Sequence, residues 1–345
     1  MIARALLSAL ALCAVLVGNP VVLMPPAAPA VLSEYDPFVS ACGTQLCADG
    51  RVFRVHGASV LFGLDHPAAA VAQARAAGLN LIRIVNFLDE SGPVATAPYD
   101  AVRWHRVDAL IAAAGAGGLR VELDLSSYRN LLLRHHVNAY AANWSRFVSF
   151  VAARTNAVTH VRYGRDPTIA LVAFAGEVDP PHGSYITRQV TDFFARTLGQ
   201  WRALDSRHLL TTGGLLHLDG SQGIDWRAIM RLSVVDVPAI HLYSTPDRLV
   251  TQPAVAAFAK GLGKPWIVEE FGAERGIGDS ARAALFTRTY DDAARYHAAG
   301  VAFWNLGPQS VSPTYDVNGS TPLTLAVVQA GAPAAPPAPV VRPRL

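Results

Sequence analysis

Short apolar runs typical of β-strands alternate along this chain with longer stretches whose apolar residues recur at helical spacing. The predicted strands are residues 52–59, 79–85, 120–125, 169–175, 208–212, 237–242, 266–270 and 301–304. The predicted helices are residues 67–77, 102–117, 139–155, 186–203, 253–261 and 280–299. Strands that alternate with helices form a parallel sheet with right-handed crossovers. Eight such strands therefore predict an α/β protein, a single-domain (β/α)8 TIM barrel.

The ends of the predicted helices support this arrangement. Gly78, Gly118 and Gly300 each stand at or just before the start of a strand, where glycine commonly ends a helix. A doubly wound open sheet is the alternative, but no glycine-rich phosphate loop follows the first strand. Ahead of that strand, Asp49-Gly50 signals a tight turn. We therefore expect residues 38–54 to form a small hairpin across the bottom of the barrel.

The N-terminus has the layout of a secretory signal peptide, which we assign to residues 1–30. Arg4 precedes an apolar run, and Ala28-Pro29-Ala30 offers a small-residue cleavage site. An uncleaved anchor is an alternative, although Gly18-Asn19-Pro20 interrupts the apolar run well short of the length of a spanning helix. A lipoprotein modified at Cys13 is a second alternative. We expect a secreted, extracytoplasmic protein, free or held at the cell surface, with no transmembrane segment in the mature chain.

Loss of this leader leaves only Cys42 and Cys47. In an exported chain this pair predicts a local disulfide, with two unrelated free thiols as the alternative. We assign residues 31–327 to the barrel and residues 328–345, rich in Pro and Ala, to a disordered tail. The net charge of +3 gives no reason to propose nucleic acid as a partner. We expect a monomer that needs no cofactor.

Polar and aromatic residues occupy the predicted carboxyl ends of the strands, where barrel enzymes carry their functional groups. They are Arg83, Asp124, Glu177, His241, Tyr243, Glu270 and Trp304. A purely structural barrel does not need so many. For Trp304, a place in the core is the alternative to a place in a binding site.

Glu177 and Glu270 are candidates for the pair of carboxylates that cleavage of a glycosidic bond requires. Glu177 follows an almost wholly apolar strand, so we expect burial to raise its pKa and suit it to proton donation. A solvated carboxylate at a helix start is the alternative, and Asp179 is a second candidate for the same role. Glu269 and Glu270 are adjacent on one strand, so we expect them to point to opposite faces. Pairing of both with arginines outside the barrel is the alternative.

The candidate residues belong to a series of motifs that occur in a defined order over residues 53–322. They are Gly78-Leu-Asn-Leu-Ile-Arg83, Asp108 followed by Gly118-Leu-Arg-Val-Glu-Leu-Asp124, Arg154-Thr-Asn156, Tyr163-Gly-Arg-Asp166 leading into Glu177, His208-Leu-Leu-Thr-Thr-Gly213, His241-Leu-Tyr243, Glu269-Glu-Phe-Gly272 and Phe303-Trp304. This set resembles glycoside hydrolase family 5 of clan A. The resemblance is closest to its endo-β-1,4-mannanase-like members and extends to cellulase-like ones.

The resemblance implies a retaining double displacement on β-linked mannan or glucan. Glu177 takes the acid/base position, and Glu270, directly before Phe-Gly, takes the nucleophile position. It also implies supporting roles: Arg83 and Tyr243 on the nucleophile, His241 beside the acid/base, and Trp304 as the platform under the sugar.

Two departures from the family pattern concern the same sugar subsite. Gly176 stands where the family usually has the Asn that binds the sugar 2-hydroxyl, and the strand ending at Asp124 lacks the His or Asn often found there. These departures keep open a non-catalytic carbohydrate-binding barrel. An exo-acting or transglycosylating enzyme of the same clan is a third possibility. No metal is expected, because the sequence has no His-Glu-x-x-His motif and no Cys-rich cluster.

Overall fold

A small antiparallel sheet precedes the barrel in the computed structural model, which describes residues 36–178, 187–216, 218, 224–244, 247–308 and 315–331. Its strands are β1 (Ser40–Cys42), β2 (Gln45–Ala48) and β3 (Arg51–Val52). β1 pairs with β2 and β2 with β3, the second pair across Asp49-Gly50, where φ is 53° and 72°. The prediction of a single hairpin was therefore incomplete, since two hairpins share β2. The predicted disulfide is present and joins Cys42 to Cys47.

Eight parallel strands follow in the described part of the chain and form the barrel. They are β4 (Val55–Ser59), β5 (Leu81–Ile84), β6 (Arg120–Asp124), β7 (Ile169–Ala173), β8 (Leu209–Thr211), β9 (Ala239–Leu242), β10 (Ile267–Phe271) and β11 (Gly300–Phe303). All eight lie within or overlap the predicted runs. The first run, predicted as residues 52–59, is divided between β3 and β4, because β3 turns back to pair with β2.

The order of hydrogen-bonded strands is β8-β7-β6-β5-β4-β11-β10-β9. The two ends of this order also approach each other. Leu215, which follows β8, forms a parallel bridge to Ile240 of β9, and its N–H donates to the carbonyl of Ala239 at 3.1 Å. The sheet is thus a nearly closed barrel, and the predicted fold class is confirmed.

The N-terminal sheet covers the amino ends of the barrel strands. Val39 and Leu46 pack in one buried cluster with residues at the starts of barrel strands, among them Val55, Leu81 and Ile267. Removal of these apolar side chains from water favours this contact. The opposite ends of the strands, where the predicted functional residues lie, remain open.

Helices surround the barrel. They are α1 (Pro67–Ala76), α2 (Ala101–Ala116), α3 (Ser126–Arg134), α4 (Ser145–Ala153), α5 (Thr187–Leu204), α6 (Trp226–Arg231), α7 (Gln252–Leu262), α8 (Asp279–Arg295) and α9 (Pro322–Ala330). The six predicted helices are found with shifted ends, the largest shift being the start of α4 at Ser145. The sequence did not predict α3, α6 or α9.

Two of the three predicted glycine caps are confirmed. Gly78 and Gly118 follow α1 and α2 with φ of 76° and 72°, the left-handed region that favours glycine. The third was wrong, because α8 ends at Arg295 and Gly300 is already in β11. There a side chain would meet the backbone of Val55 on the neighbouring strand, so Gly300 allows close strand pairing rather than capping a helix.

The predicted ends of the barrel domain need one correction. The tail was predicted to begin at residue 328, but α9 continues to Ala330, and Val328 is fully buried with its carbonyl accepting from His56 Nε2 at 3.0 Å. The predicted signal peptide and residues 332–345 lie outside the described residues. None of the described helices is long and apolar enough to cross a membrane.

Lys264 holds the connection between α6 and β9 in place. Its Nζ donates to the carbonyls of Met230, Leu232 and Val235 at 2.9, 2.7 and 2.7 Å. Met230 is in the last turn of α6, and Leu232 and Val235 follow the helix. Carbonyls at a helix end have few backbone donors, and the ammonium group supplies a charged one to all three.

We predict that Lys264→Met lowers the free energy of unfolding by on the order of 2 kcal/mol, because three carbonyls lose a charged donor. Denaturant or thermal unfolding measures the loss. The matched control is Lys260→Met, since Lys260 is exposed on α7 and is the only other lysine in the sequence. Equal stability of the two variants would contradict this role of Lys264.

Candidate active site

A cavity of about 370 Å³ opens at the carboxyl ends of the barrel strands. This volume lies within the range of about 300–1,000 Å³ that is common for small-molecule sites. Most of the predicted site residues line it: Arg83, Gly176, Glu177, His241, Tyr243, Glu270 and Trp304. Asp124 does not line the cavity but lies fully buried behind Arg83. The structure thus brings together side chains that are almost 200 positions apart in the chain.

Glu270 is held by two donors, one in β5 and one directly after β9. Arg83 of β5 donates through Nη1 to Oε1, and the hydroxyl of Tyr243 donates to Oε2 at 2.8 Å. Burial and the charge of Glu270 raise the pKa of Tyr243, so this hydroxyl keeps the proton that it donates. The guanidinium of Arg83 is itself oriented by Asp124, which accepts from Nη2, and by Ser59 at 3.2 Å. Glu270 is therefore a carboxylate whose two oxygens are directed by the barrel.

Glu177 lies four residues beyond the end of β7, and its backbone is left-handed, with φ of 51°. A non-glycine residue seldom adopts this conformation, and it is found at functional sites when the surrounding structure enforces it. Here the N–H of Glu177 donates to the carbonyl of Gly214 at 2.8 Å, and Arg129 donates to the carbonyl of Glu177 at 2.9 Å. These bonds direct the side chain towards Glu270, and one oxygen of each carboxylate lies within 4.8 Å of the other.

His241 lies beside Glu177. Its Nδ1 is 2.8 Å from Glu177 Oε1, and its Nε2 is 3.0 Å from Glu269 Oε2. Burial lowers the pKa of His241, but the charge of Glu270 and the hydrogen bonds to Glu177 and Glu269 outweigh it and raise the pKa to about 10. His241 is thus an imidazolium at neutral pH and donates through both ring nitrogens.

The expected pKa of Glu177 was wrong in direction. Burial does raise it, but the hydrogen bond and charge of His241 lower the pKa of Glu177 below its ordinary value, with smaller contributions from Arg129 and Arg83. The side chain of Glu177 is also 41% exposed, so burial acts on it only in part. Of Glu177 and His241, the histidine therefore carries the proton at neutral pH.

The expectation that Glu269 and Glu270 point to opposite faces was also wrong. The register between β10 and β9 shifts between Val268 and Glu270, which indicates a bulge at Glu269. Glu269 is fully buried beneath the cavity, where it accepts from His241 and from the N–H of Gly214. Only Glu270 of the two acids reaches the cavity.

Glycines make room for His241. A Cβ atom at Gly214 would lie 1.7 Å from Cδ2 of His241, so no side chain fits there. Gly176 in turn packs against the backbone of Gly213 and Gly214, where its Cβ would lie 3.1 Å from the Gly214 nitrogen. Gly176 is therefore part of a close approach between the chain after β7 and the chain after β8, and an Asn there would displace the segment that seats His241.

Other cavity residues were not predicted: Val85, Asn86, Ser126, Arg129, Asn130 and Tyr315. Ser126, Arg129 and Asn130 belong to α3, and their i, i+3, i+4 spacing places them on one helix face. Ser126-Ser127 directly after the strand was a helix-start signal that could have indicated this helix. Arg129 donates to Asn130 Oδ1 at 2.7 Å, and Asn130 donates to Glu90 at 2.9 Å. α3 thus presents an oriented amide at the edge of the cavity.

Trp304 follows β11 and lines the cavity while only partly buried, so the core alternative for this residue does not apply. The tryptophans Trp104, Trp144, Trp201 and Trp226 are by contrast almost fully buried in packing contacts. Tyr315 lies near Tyr243, with ring centroids 6.1 Å apart. Trp304, Tyr243 and Tyr315 thus contribute aromatic side chains to the lining of the cavity.

Glu177, His241 and Glu270 have the residue types and proximity of metal ligands. Both nitrogens of His241, however, face carboxylates at hydrogen-bonding distance, and its raised pKa favours the protonated ring. An imidazolium has no lone pair for a metal, so hydrogen bonds account for this cluster. The expectation that the site uses no metal stays a prediction.

No protein-family model matches the sequence. The chain is 25% identical over 302 residues to mannan endo-1,4-beta-mannosidase 8 of Oryza sativa subsp. japonica. The aligned region covers 68% of this chain and 79% of the relative. It is 25% identical over 283 residues to mannan endo-1,4-beta-mannosidase A of Aspergillus aculeatus, covering 68% and 74%. The solved structure of the endo-1,4-beta-mannanase from Rhizomucor miehei superposes with a TM-score of 0.74 at 20% identity, covering 86% of this chain and 99% of that one.

The chain resembles the endo-mannanases of glycoside hydrolase family 5. A Rhizomucor miehei mannosidase of that family has the same barrel, with a TM-score of 0.67 at 14% identity and coverage of 87% and 98%. The sequence relatives and the shared fold support a glycoside hydrolase. The resemblance stated from the motifs is thereby confirmed.

For this mannanase-like barrel we predict that Gly214→Ala lowers kcat/KM by on the order of 10²-fold, because the new methyl group displaces the imidazole of His241. Kinetics on soluble β-1,4-manno-oligosaccharides provide the measurement. Gly199→Ala is the matched control, since Gly199 lies in α5 with open space around its Cα and alanine favours a helix. Wild-type kinetics in Gly214→Ala would contradict the close packing.

We also predict that His241 stabilises the fold most at low pH. Its pKa is raised from 6.5 to about 10 on folding, so its contribution is complete below pH 6.5 and is lost as the pH rises to about 10. The difference in Tm between the wild type and His241→Gln should therefore narrow over this interval. The exposed His66, changed to Gln, serves as control and should show no such trend. A difference that stays constant with pH contradicts the imidazolium assignment.

Proposed function

We propose that the protein is a retaining glycoside hydrolase that cleaves β-linked polysaccharide or oligosaccharide by double displacement, with Glu270 as nucleophile and Glu177 as acid/base. The observation that carries this proposal is the approach of one oxygen of Glu177 to within 4.8 Å of one oxygen of Glu270. Retaining enzymes hold the two carboxyl groups about 5–5.5 Å apart, whereas inverting enzymes hold them about 6.5–9.5 Å apart to admit a water. The spacing here supports attack by a carboxylate.

The surroundings of Glu270 suit a nucleophile. The guanidinium of Arg83, whose charge is permanent, forms an ion pair with Oε1 of Glu270 and fixes the position of that oxygen. The hydroxyl of Tyr243 aligns the second oxygen. In the first step Glu270 forms a bond to the anomeric carbon while the bond from that carbon to the leaving oxygen breaks. In the second step water displaces Glu270 from the glycosyl-enzyme.

Glu177 supplies the proton for the first step and accepts one in the second. Before substrate binds, His241 carries this proton, because the pKa of Glu177 is lowered and the pKa of His241 is raised. A sugar that covers the exposed part of Glu177 removes its hydration, and burial favours the neutral carboxylic acid. Substrate binding thus moves the proton from Nδ1 of His241 to Glu177, from which it passes to the leaving oxygen.

The substrate proposed first is β-1,4-mannan, with β-glucan as the alternative, because the curated relatives carry the name mannan endo-1,4-beta-mannosidase. Trp304 offers a face on which the apolar side of a sugar ring can stack. Long loops that wall one end of the cleft favour exo action. Residues 215–226 are a candidate for such a loop, and part of this segment lies outside the described residues. A product profile on β-1,4-linked mannan, glucan and xylan oligosaccharides distinguishes these possibilities.

The protein is further proposed to be exported and to act as a monomer. The Cys42–Cys47 disulfide supports an oxidising compartment, where such bonds persist. Mass analysis of the mature N-terminus tests cleavage near residue 30, and light scattering tests the monomer.

Glu177→Gln and Glu270→Gln are each predicted to lower kcat on manno-oligosaccharides by on the order of 10²–10⁴-fold, because each removes a group that transfers a proton or forms a bond. Glu274→Gln is the matched control, since Glu274 is an exposed acid close to Glu270 in sequence. Unchanged turnover in either active-site variant refutes its assigned role.

Azide separates the two roles. With Glu177→Ala and an aryl glycoside whose leaving group needs no acid, azide should attack the anomeric carbon of the glycosyl-enzyme. Azide then displaces the carboxylate of Glu270 and gives a β-glycosyl azide. With Glu270→Ala, azide should replace the nucleophile directly and give the α-product. Exchange of these outcomes would reverse the assignment.

Calorimetric binding of manno-oligosaccharides with no hydrolysis would instead favour a carbohydrate-binding barrel, the alternative motivated by Gly176.

A further inference from the structure

Glu122 is a buried acid that none of the steps above uses. It lies in the middle of β6, two positions before Asp124, and its side chain is fully excluded from solvent. Neither of its oxygens meets a hydrogen-bond donor among the described residues, and the same is true of Oε1 of Glu269. An ionised carboxylate without donors in such a place is strongly unfavourable. Something must neutralise Glu122 or supply a donor.

The charged groups around Glu122 are few among the described residues. Arg83 faces it from β5, Glu269 from β10, and Asp124 from its own strand, while β7 presents only apolar residues. Arg83 already donates to Glu270 and Asp124, so one guanidinium faces several carboxyl groups. Glu269 is also a neighbour of Glu122, and their interaction raises the pKa of Glu122 and lowers the pKa of Glu269. Two ionised carboxylates that are buried neighbours would repel each other strongly.

We infer that Glu122 is a positioning residue of the proposed active site: it is a neutral carboxylic acid whose O–H donates to Glu269. This one proton gives a partner to one oxygen of Glu122 and to Oε1 of Glu269, both of which otherwise lack one among the described residues. Burial and the negative charge of Glu269 raise the pKa of Glu122 well above its ordinary value, in agreement with this arrangement.

A chain of hydrogen bonds connects the proton on Glu122 to Glu177, the proposed acid/base. Glu122 donates to Glu269, and His241 donates through Nε2 to Glu269 and through Nδ1 to Glu177. Glu269 must stay a single negative charge to hold His241 as imidazolium, and the proton on Glu122 stabilises that charge. Glu122 thereby adjusts the proton affinity of Glu177 without contact with substrate. This consequence rests on the proposed function, whereas the protonation of Glu122 does not.

The first experiment needs no activity. Infrared difference spectra of the full-length protein at pH 7 should show the C=O stretch of a buried protonated carboxylic acid, shifted in D₂O and lost in Glu122→Gln. Glu274→Gln is the matched control and should leave that band unchanged. A band that persists in Glu122→Gln, or that is missing from the wild type, overturns the inference even if the protein proves to be a hydrolase.

The second experiment compares two substitutions by their pH profiles of kcat. Glu122→Gln keeps a neutral donor to Glu269, so its profile should match the wild type. Glu122→Leu removes the donor and raises the proton affinity of Glu269, which then takes the Nε2 proton of His241. The loss of positive charge beside Glu177 should move the alkaline limb, set by Glu177, to higher pH by on the order of one unit. If Glu122 were ionised, Glu122→Gln would remove a negative charge and move this limb to lower pH instead. That shift, or identical profiles for Glu122→Leu and the wild type, overturns the positioning role. Absence of activity in the wild type overturns the proposed function but leaves the infrared test intact.

Discussion

The site depends on the burial of one guanidinium group among several carboxyl groups. Arg83 is almost fully excluded from solvent and lies within ion-pair distance of Asp124, Glu269 and Glu270. A buried charge is tolerated only when it is paired and hydrogen-bonded, and removal of one partner leaves the other uncompensated. The acids therefore depend on Arg83 as much as Arg83 depends on them. This mutual dependence ties the fold of the open end of the barrel to the orientation of Glu270.

The glycines of the site act through a second constraint, which is space. Gly176 and Gly213 let the chain segments after β7 and β8 come into direct backbone contact. Gly214 leaves the space that the imidazole of His241 fills. The same approach lets the carbonyl of Gly214 accept from the N–H of Glu177. The position of Glu177 and the seating of His241 thus have one cause. In this barrel Gly176 has a role in packing, whatever polar contact the family places at that position.

The sequence predicted the barrel well because its signals are local: the apolar runs, the helical spacing, and the glycines at Gly78 and Gly118. It also named the cavity residues at the strand ends, since the barrel brings those ends together by geometry alone. What it missed is non-local. The bulge that turns Glu269 inward arises from the pairing of β10 with β9, and the lowered pKa of Glu177 arises from His241, 64 positions away. The residues of α3 were missed because a helix directly after a strand does not fit the expected spacing.

The choice of cation beside each carboxylate matches the role proposed for it. In a double displacement the nucleophile must be ionised at the start of each cycle, whereas the acid/base must lose and regain a proton. Glu270 is paired with an arginine, whose charge does not change, and Glu177 with a histidine, whose charge can. The strand that carries Glu270 is buried, while Glu177 lies beyond its strand with part of its side chain in water. Glu270 is thus fixed by a permanent charge in the buried part of the barrel, whereas Glu177 lies where a substrate can replace solvent.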